Sequence, residues 1–470
     1  TKDFEPRIGL DWDPFKQGKT VVRAGFGMFD VLPLPYEFGL NTAATAPFQI
    51  IGAAPGATLG SGINPNVNFN EQKIRNRFID AFPKRAYVMN WNLNIQQQLA
   101  PGYTFLLGYV GSRSLHLSAA ADDINLVQPT AVSGVGLVFP CDPSLLAAGN
   151  TCANQQTGTR IDPNWGGGAG IRPVLYDGAS SYNSLQAQLK KSFSQGVQGQ
   201  VSYTFGKCRD LSSAPVTGDS YLNSIAVPLL LVKSARVGAC DFDVRQILTG
   251  TLMWNLPSIK NSSGFVNTLT GGWELGTIVT ATTGAPFTAT VGDGNDPLGT
   301  GFNGDFSMDF ASLIPGCNPI HGGVNYLNTN CFTPPTAPSS FALATAANPF
   351  GCAPNSYPAS PVAPPPGTEF CSNVLGNTGR NRFYGPGLTT VDFSIFKNTR
   401  IPSISEAFNI QFRAEFFNIL NHTNFLSPGF LNTFGQNNSV YDFNGASLPT
   451  ALNQTATTSR QIQLGLKLIF

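Results

Sequence analysis

Eight cysteines carry the most reactive side chains of this 470-residue sequence. They fall in neighbouring pairs: Cys141 with Cys152, Cys208 with Cys240, Cys317 with Cys331, and Cys352 with Cys371. Each pair brackets one segment rich in Gly, Pro, Asn and Asp. Closing loops of about 10 to 30 residues in this way stabilises a fold by a few kcal/mol each, by restricting the unfolded chain. The alternative is a set of free or metal-bound thiols. No Cys-x-x-Cys spacing occurs, and only His116, His321 and His422 are available as imidazole ligands, which is poor material for a zinc site. The spacing therefore predicts disulfides and an oxidising compartment.

Other constellations carry less chemistry. Asp293-Gly294-Asn295-Asp296, with Asp305 nearby, has the oxygen density of a calcium loop but lacks its twelve-residue spacing and closing Glu. A solvated Gly/Asp turn is the expectation, and neither a metal nor a cofactor is called for. No Ser-His-Asp order with a nucleophile elbow, no His-Glu-x-x-His and no phosphate loop occurs, so an enzyme is not expected. Charged side chains instead recur on the polar faces of alternating segments: Arg23, Lys190, Arg245, Glu274, Arg413 and Glu415. Such groups pair with each other or meet a partner across a water-filled space. Arg380 and Arg382 stand at the mouth of the longest Gly/Pro-rich segment, where a ligand would be met.

The elements that position these groups are extended. In the last stretch, Ile462, Leu464, Leu466, Leu468 and Phe470 alternate with Gln461, Gln463, Gly465 and Lys467. Successive strand side chains point to opposite faces, so one flank is apolar and the other polar. The same alternation recurs in hairpins around Arg7–Asp30, Tyr87–Tyr109, Tyr182–Phe205, Asp241–Gly284 and Leu388–Leu420, giving about 11 to 12 strands. Short turns follow strands one, three, five, seven and nine. Long segments, about Val31–Pro83, Leu115–Ser180, Ala285–Gly387 and Asn421–Arg460 among them, follow the even-numbered strands. A missed strand near Phe430–Phe443 would make the count even. Strictly alternating short and long connections place all the long loops at one end, which is the asymmetry of an outer-membrane barrel. Loops this long without helical periodicity are rare in compact soluble domains.

Composition agrees. Charged residues are 12%, about half of the roughly 25% usual in soluble chains, and 35 Phe lead an aromatic share of 11%. No run of about 18 apolar residues exists for a membrane-crossing helix. A net charge of +1 offers no broad basic surface for nucleic acid. The sequence starts at Thr1 without a leader, as expected of a processed or excised piece. The fold class expected is all-β: an antiparallel up-and-down transmembrane β-barrel, present in part, with short periplasmic turns and long extracellular loops.

Four phrases carry a family resemblance: PRIGLDWDPF (Pro6–Phe15), GRNRFYGPG (Gly379–Gly387), FRAEFFNILNHTNF (Phe412–Phe425) and LGLKLIF (Leu464–Phe470). Together they resemble the carboxy-terminal barrel of TonB-dependent outer-membrane transporters, Oar-like receptors in particular. The resemblance implies a 22-strand barrel with a plug, a TonB box and often a small amino-terminal β-sandwich. Residues 1–470 are expected to hold neither plug nor TonB box, and about half the strands. Residues 1–470 are thus expected to be a single domain, the carboxy-terminal portion of such a barrel, in the cell outer membrane. Its partners would be outer-membrane lipid, its own plug, the TonB complex through the missing amino-terminal part, and a bulky nutrient such as a siderophore, oligosaccharide or peptide. Two other readings stand beside this one: an adhesive or structural surface protein, and a secreted lectin-like β protein.

Overall fold

Period-two sequence becomes pleated strand. In a computed structural model, eleven strands follow one another in chain order across one sheet: β1 (Arg7–Trp12), β2 (Thr20–Asp30), β3 (Tyr87–Ala100), β4 (Tyr103–Ala120), β5 (Ile171–Ser194), β6 (Val197–Asp210), β7 (Gln246–Asn255), β8 (Trp273–Thr282), β9 (Leu388–Arg400), β10 (Asn409–Phe417) and β11 (Gln461–Ile469). Each pairs antiparallel with the next. β1 and β11 are the open edges of this sheet. The structure describes residues 4–32, 76–120, 127–141, 171–213, 232–258, 264–291, 310–323, 326–345, 347–353, 363–402, 404–426, 439–441 and 455–470, with positions 35, 39, 124, 125 and 161.

The register puts every apolar flank on one side. One cross-strand row runs Leu10, Ala24, Leu93, Tyr109, Leu185 and Phe205. Another runs through Trp254 and Leu275 to Ile395, Ala414 and Leu464. These side chains are not packed against a second layer: Ile8, Leu93, Leu185, Phe205, Leu252, Leu464 and Leu466 are all exposed, Leu466 by 70%. A contiguous apolar face of this size is incompatible with water as its neighbour. In a sheet one strand thick, it is the surface that meets hydrocarbon.

The short connections are tight. Gln195-Gly196 has positive φ at both residues, 52° and 77°, the twist a two-residue hairpin needs. At Asp13, the carboxylate accepts N–H bonds from Gly18 (2.7 Å) and Phe15 (3.2 Å), closing the turn between β1 and β2. The Gly18 bond, with those of other turn amides, holds its pKa below the usual carboxylate value. α1 (Lys233–Arg236) lies between β6 and β7, and the medium turn between β7 and β8 holds α2 (Gly264–Thr270), which alternation alone did not foreshadow. Lys397 and the Trp273 indole N–H donate to carbonyls around its end.

At the other end the strands outrun their expected limits. β4 continues to Ala120 and β5 already begins at Ile171, inside the stretch expected to be loop. Their pairing carries two register shifts beyond Leu115, and Ser, Gly and Ala there blur the alternation. The longest connection is not an irregular loop. It folds into small two-stranded sheets, Pro286–Phe287 with Phe383–Tyr384, Ser312–Leu313 with Phe332–Thr333, and Thr336–Pro338 with Thr368–Phe370. Among the described residues, most fully buried apolar side chains lie here, Phe287, Phe310, Phe332 and Val374 among them. Among the described residues the packed apolar clusters thus belong to a cap on the long-loop end. The expected extra strand appears as Ser439–Tyr441, paired parallel with Thr290–Val291 outside the wall.

Candidate functional site

The face opposite the apolar flank is polar and concave. Arg23 donates to Asp11 (3.1 Å) and Gln96 (2.9 Å) across three strands. Arg413 donates to Gln411 (2.6 Å), its guanidinium 5.4 Å from the centre of the Phe396 ring. Lys190, Glu274 and Glu415 line one concavity of about 640 Å³ together with Asp392, Met253 and Ile278. Carboxylates, ammonium groups and apolar side chains together make a mixed surface, suited to a polar partner with apolar patches. Register brings these groups together from β5, β7, β8, β9 and β10, which is why no local motif announces them.

Arg245 stands apart from that concavity. It precedes β7 and donates to Asp243 (2.7 Å) and to the Tyr384 hydroxyl (2.9 Å from Nε), placing it in a polar clasp at the long-loop end. The centre of the clasp is Arg380, which is fully buried and not offered to a ligand as its position in sequence suggested. It donates to the Asp210 carboxylate, the Asp210 carbonyl (3.0 Å), Asp241 (3.4 Å), the Arg236 carbonyl (3.1 Å) and Ser213 (3.3 Å). Asn381 donates to Asp241 and the Ala239 carbonyl, both at 2.7 Å. The Tyr384 hydroxyl donates to Asp243 (2.7 Å), whose other oxygen accepts the Cys208 N–H. Burial and then the Asp243 bond push the Tyr384 pKa above its ordinary value. Arg236 forms a two-point pair with Asp177. Gly238 is required here: a Cβ would stand 2.7 Å from the Arg380 carbonyl oxygen.

The clasp explains two features of the sequence. GRNRFYGPG is the strap that ties the cap to the end of β6, and Cys208 is bonded to Cys240 beside it. Cys317 is bonded to Cys331 and Cys352 to Cys371, both inside the cap. Cys141 is disulfide-bonded as well, and Cys152 lies outside the described residues. So do Asp293, Asn295, Asp296 and Asp305. Sequence reasoning missed Asp177, Asp210, Arg236, Asp241 and Asp243. The available signal was the acid and base flanking the second cysteine pair, Cys208-Arg209-Asp210 and Cys240-Asp241-Phe242-Asp243.

FRAEFFNILNHTNF has a similar structural meaning. Its Asn418 and Asn421 adopt positive φ. The Asn418 amide side chain bonds both the N–H and the carbonyl of His422 (3.0 Å each) and the Thr458 carbonyl, while its own N–H reaches Asp392. Asn424 bonds the N–H and carbonyl of Thr389 and the Thr457 hydroxyl. One motif thereby staples the long-loop ends of β9, β10 and the segment entering β11. Among the described residues no cluster of His, Cys, Asp and Glu suits a metal, and no helix is long and apolar enough to cross a membrane.

Comparison with known proteins agrees with this architecture. Residues 1–463 match the family model described as Outer membrane beta barrel domain. Among solved structures, the chain is similar to the FrpB iron transporter from Neisseria meningitidis (11% identity, TM-score 0.38, 98% of this chain and 38% of that one). It is also similar to the outer membrane transporter YddB from Escherichia coli (10%, 0.42, 99% and 40%) and to a point mutant of the ferric enterobactin receptor PfeA from Pseudomonas aeruginosa (10%, 0.40, 100% and 40%). The chain spans well under half the length of each. No curated protein matches it. With eleven antiparallel strands apolar on one flank and a family match over nearly the whole sequence, the chain belongs to the outer membrane beta barrel domain family and resides in the outer membrane.

Proposed function

We propose that the chain is the carboxy-terminal portion of a TonB-dependent receptor barrel that admits a bulky nutrient such as a siderophore, an oligosaccharide or a peptide. The observation that carries this reading is the open eleven-strand wall with a charged, concave inner face beneath a folded cap. Both sheet edges await strands from elsewhere in a longer polypeptide. Lys190, Glu274 and Glu415 form the inner contact surface for that polypeptide's plug or for the passing solute. Arg23 and Arg413 hold the wall's polar side chains in place around them. Energy would come through TonB acting on the part that lies outside this chain. The second reading, an adhesive surface protein, draws on the cap, whose disulfides and packed core make it a rigid outward-facing unit.

In vivo cross-linking of the protein, as encoded in full, to TonB separates the two. Transport predicts a cross-link that intensifies when a nutrient is bound and is lost with the TonB box. An assembled outer-membrane protein that never cross-links to TonB contradicts transport and leaves adhesion.

A further inference from the structure

The outer face changes character abruptly at the long-loop end. The row Tyr109, Leu185, Phe205 is apolar. One step further along the strands lie Asn183 and Lys207, and one beyond that Arg113, Ser181 and Arg209, all on the same flank. Arg113, Lys207 and Arg209 are exposed, and among the described residues none has a carboxylate partner. Neighbouring strands lie about 4.8 Å apart, so Arg113 and Arg209 start about 10 Å from one another. Lys207 and Arg209 line a cleft of about 410 Å³ together with Arg245, Tyr384, Gly379 and the exposed Arg382. The carboxylates of Asp210, Asp241 and Asp243 are buried behind it, occupied by Arg380, Arg245 and Asn381. They offset the cations from within without filling the cleft.

We propose that this cleft binds the phosphate of an outer-leaflet lipid headgroup. The position decides the ligand class. A group resting directly above the apolar band, on the flank that meets hydrocarbon, has lipid as its neighbour. The Tyr109 hydroxyl, bonded to Asn183 at 2.6 Å, marks the interface between the two zones. Arg guanidinium forks match phosphate oxygens in two-point contacts, and basic pockets at this depth hold anionic headgroups. The site lies on the opposite flank from the concavity that holds Glu274 and Glu415, and it does not depend on which solute crosses the wall.

The test uses the protein as encoded in full, purified in detergent and titrated with diphosphoryl lipid A under native mass spectrometry. Parallel arms use the same lipid after removal of its phosphates, and inorganic phosphate in excess. The account expects retention of the phosphorylated lipid, a loss of about tenfold or more in the combined Lys207→Gln, Arg209→Gln, Arg382→Gln variant, and no displacement of the lipid by inorganic phosphate. Equal retention by the variant or of the dephosphorylated lipid overturns the proposal. Displacement of the lipid by inorganic phosphate overturns the lipid assignment and leaves a free-anion site. Assembly is read from heat-modifiable migration, and Lys207→Gln alone carries the test if the combined variant does not assemble.

Discussion

Arg380 shows what a buried charge does in the cap. Its guanidinium serves Asp210, Asp241 and two backbone carbonyls, all of them in buried residues. Replacing it by Met leaves two carboxylates without their cation, a change that typically costs about 3–5 kcal/mol. We expect Arg380→Met to release the strap from β6, seen as protease cleavage between 283 and 387 while the wall remains assembled. A pH effect belongs to the same cap. Burial pushes the Tyr326 phenol up to about 12 from 10, and its hydroxyl donates to the Tyr384 carbonyl at 2.7 Å. A raised phenol pKa means that the fold favours the neutral form. That stability is whole below pH 10 and is lost as pH rises toward 12. Absorbance at 295 nm is expected to show late-titrating tyrosines, one fewer in Tyr326→Phe, and uniform titration at the ordinary value would contradict the burial.

At the scale of elements, the two flanks of a strand predict opposite responses to the same side chain. Leu252 and Thr251 are neighbours on β7, so alternation puts Leu252 on the outer flank with Trp254 and Thr251 on the inner one. Arg at Leu252 places a charge in hydrocarbon, at a cost of about 2–4 kcal/mol near the midplane, whereas Arg at Thr251 meets the lumen. The assembled fraction is expected to fall for Leu252→Arg and to hold for Thr251→Arg. The Asn staple is the second lever: Asn424→Ala strands the N–H and carbonyl of Thr389, each costing about 1–3 kcal/mol when left unpaired, and is expected to lower the unfolding midpoint of the wall. All eleven strands were legible because alternation depends only on which side chains meet lipid and which meet water. The cap sheets were not, since strands of two or three residues have no period to read. The far ends of β4 and β5 were hidden for a related reason: Ala179, Ser180 and Ser181 pair through backbone with no apolar flank to advertise it. Arg380 was misplaced because sequence shows that a charge stands at a loop mouth but not that Asp210, at the end of β6, and Asp241 enclose it.

The whole molecule divides its apolar residues by destination. The wall exposes them on one flank, and the cap buries them in a core of its own, closed by disulfides and the clasp. That division follows from the membrane: hydrocarbon replaces the second layer a soluble sheet would need. Spin labels placed singly from Gln246 to Asn255 on β7, with the protein as encoded in full in bilayers, test it most directly. The account predicts oxygen accessibility peaking at Leu248, Gly250, Leu252 and Trp254, with a water-soluble nickel relaxant peaking at Ile247, Thr249, Thr251 and Met253. Profiles without this two-residue alternation, or with the two relaxants exchanged, would contradict it.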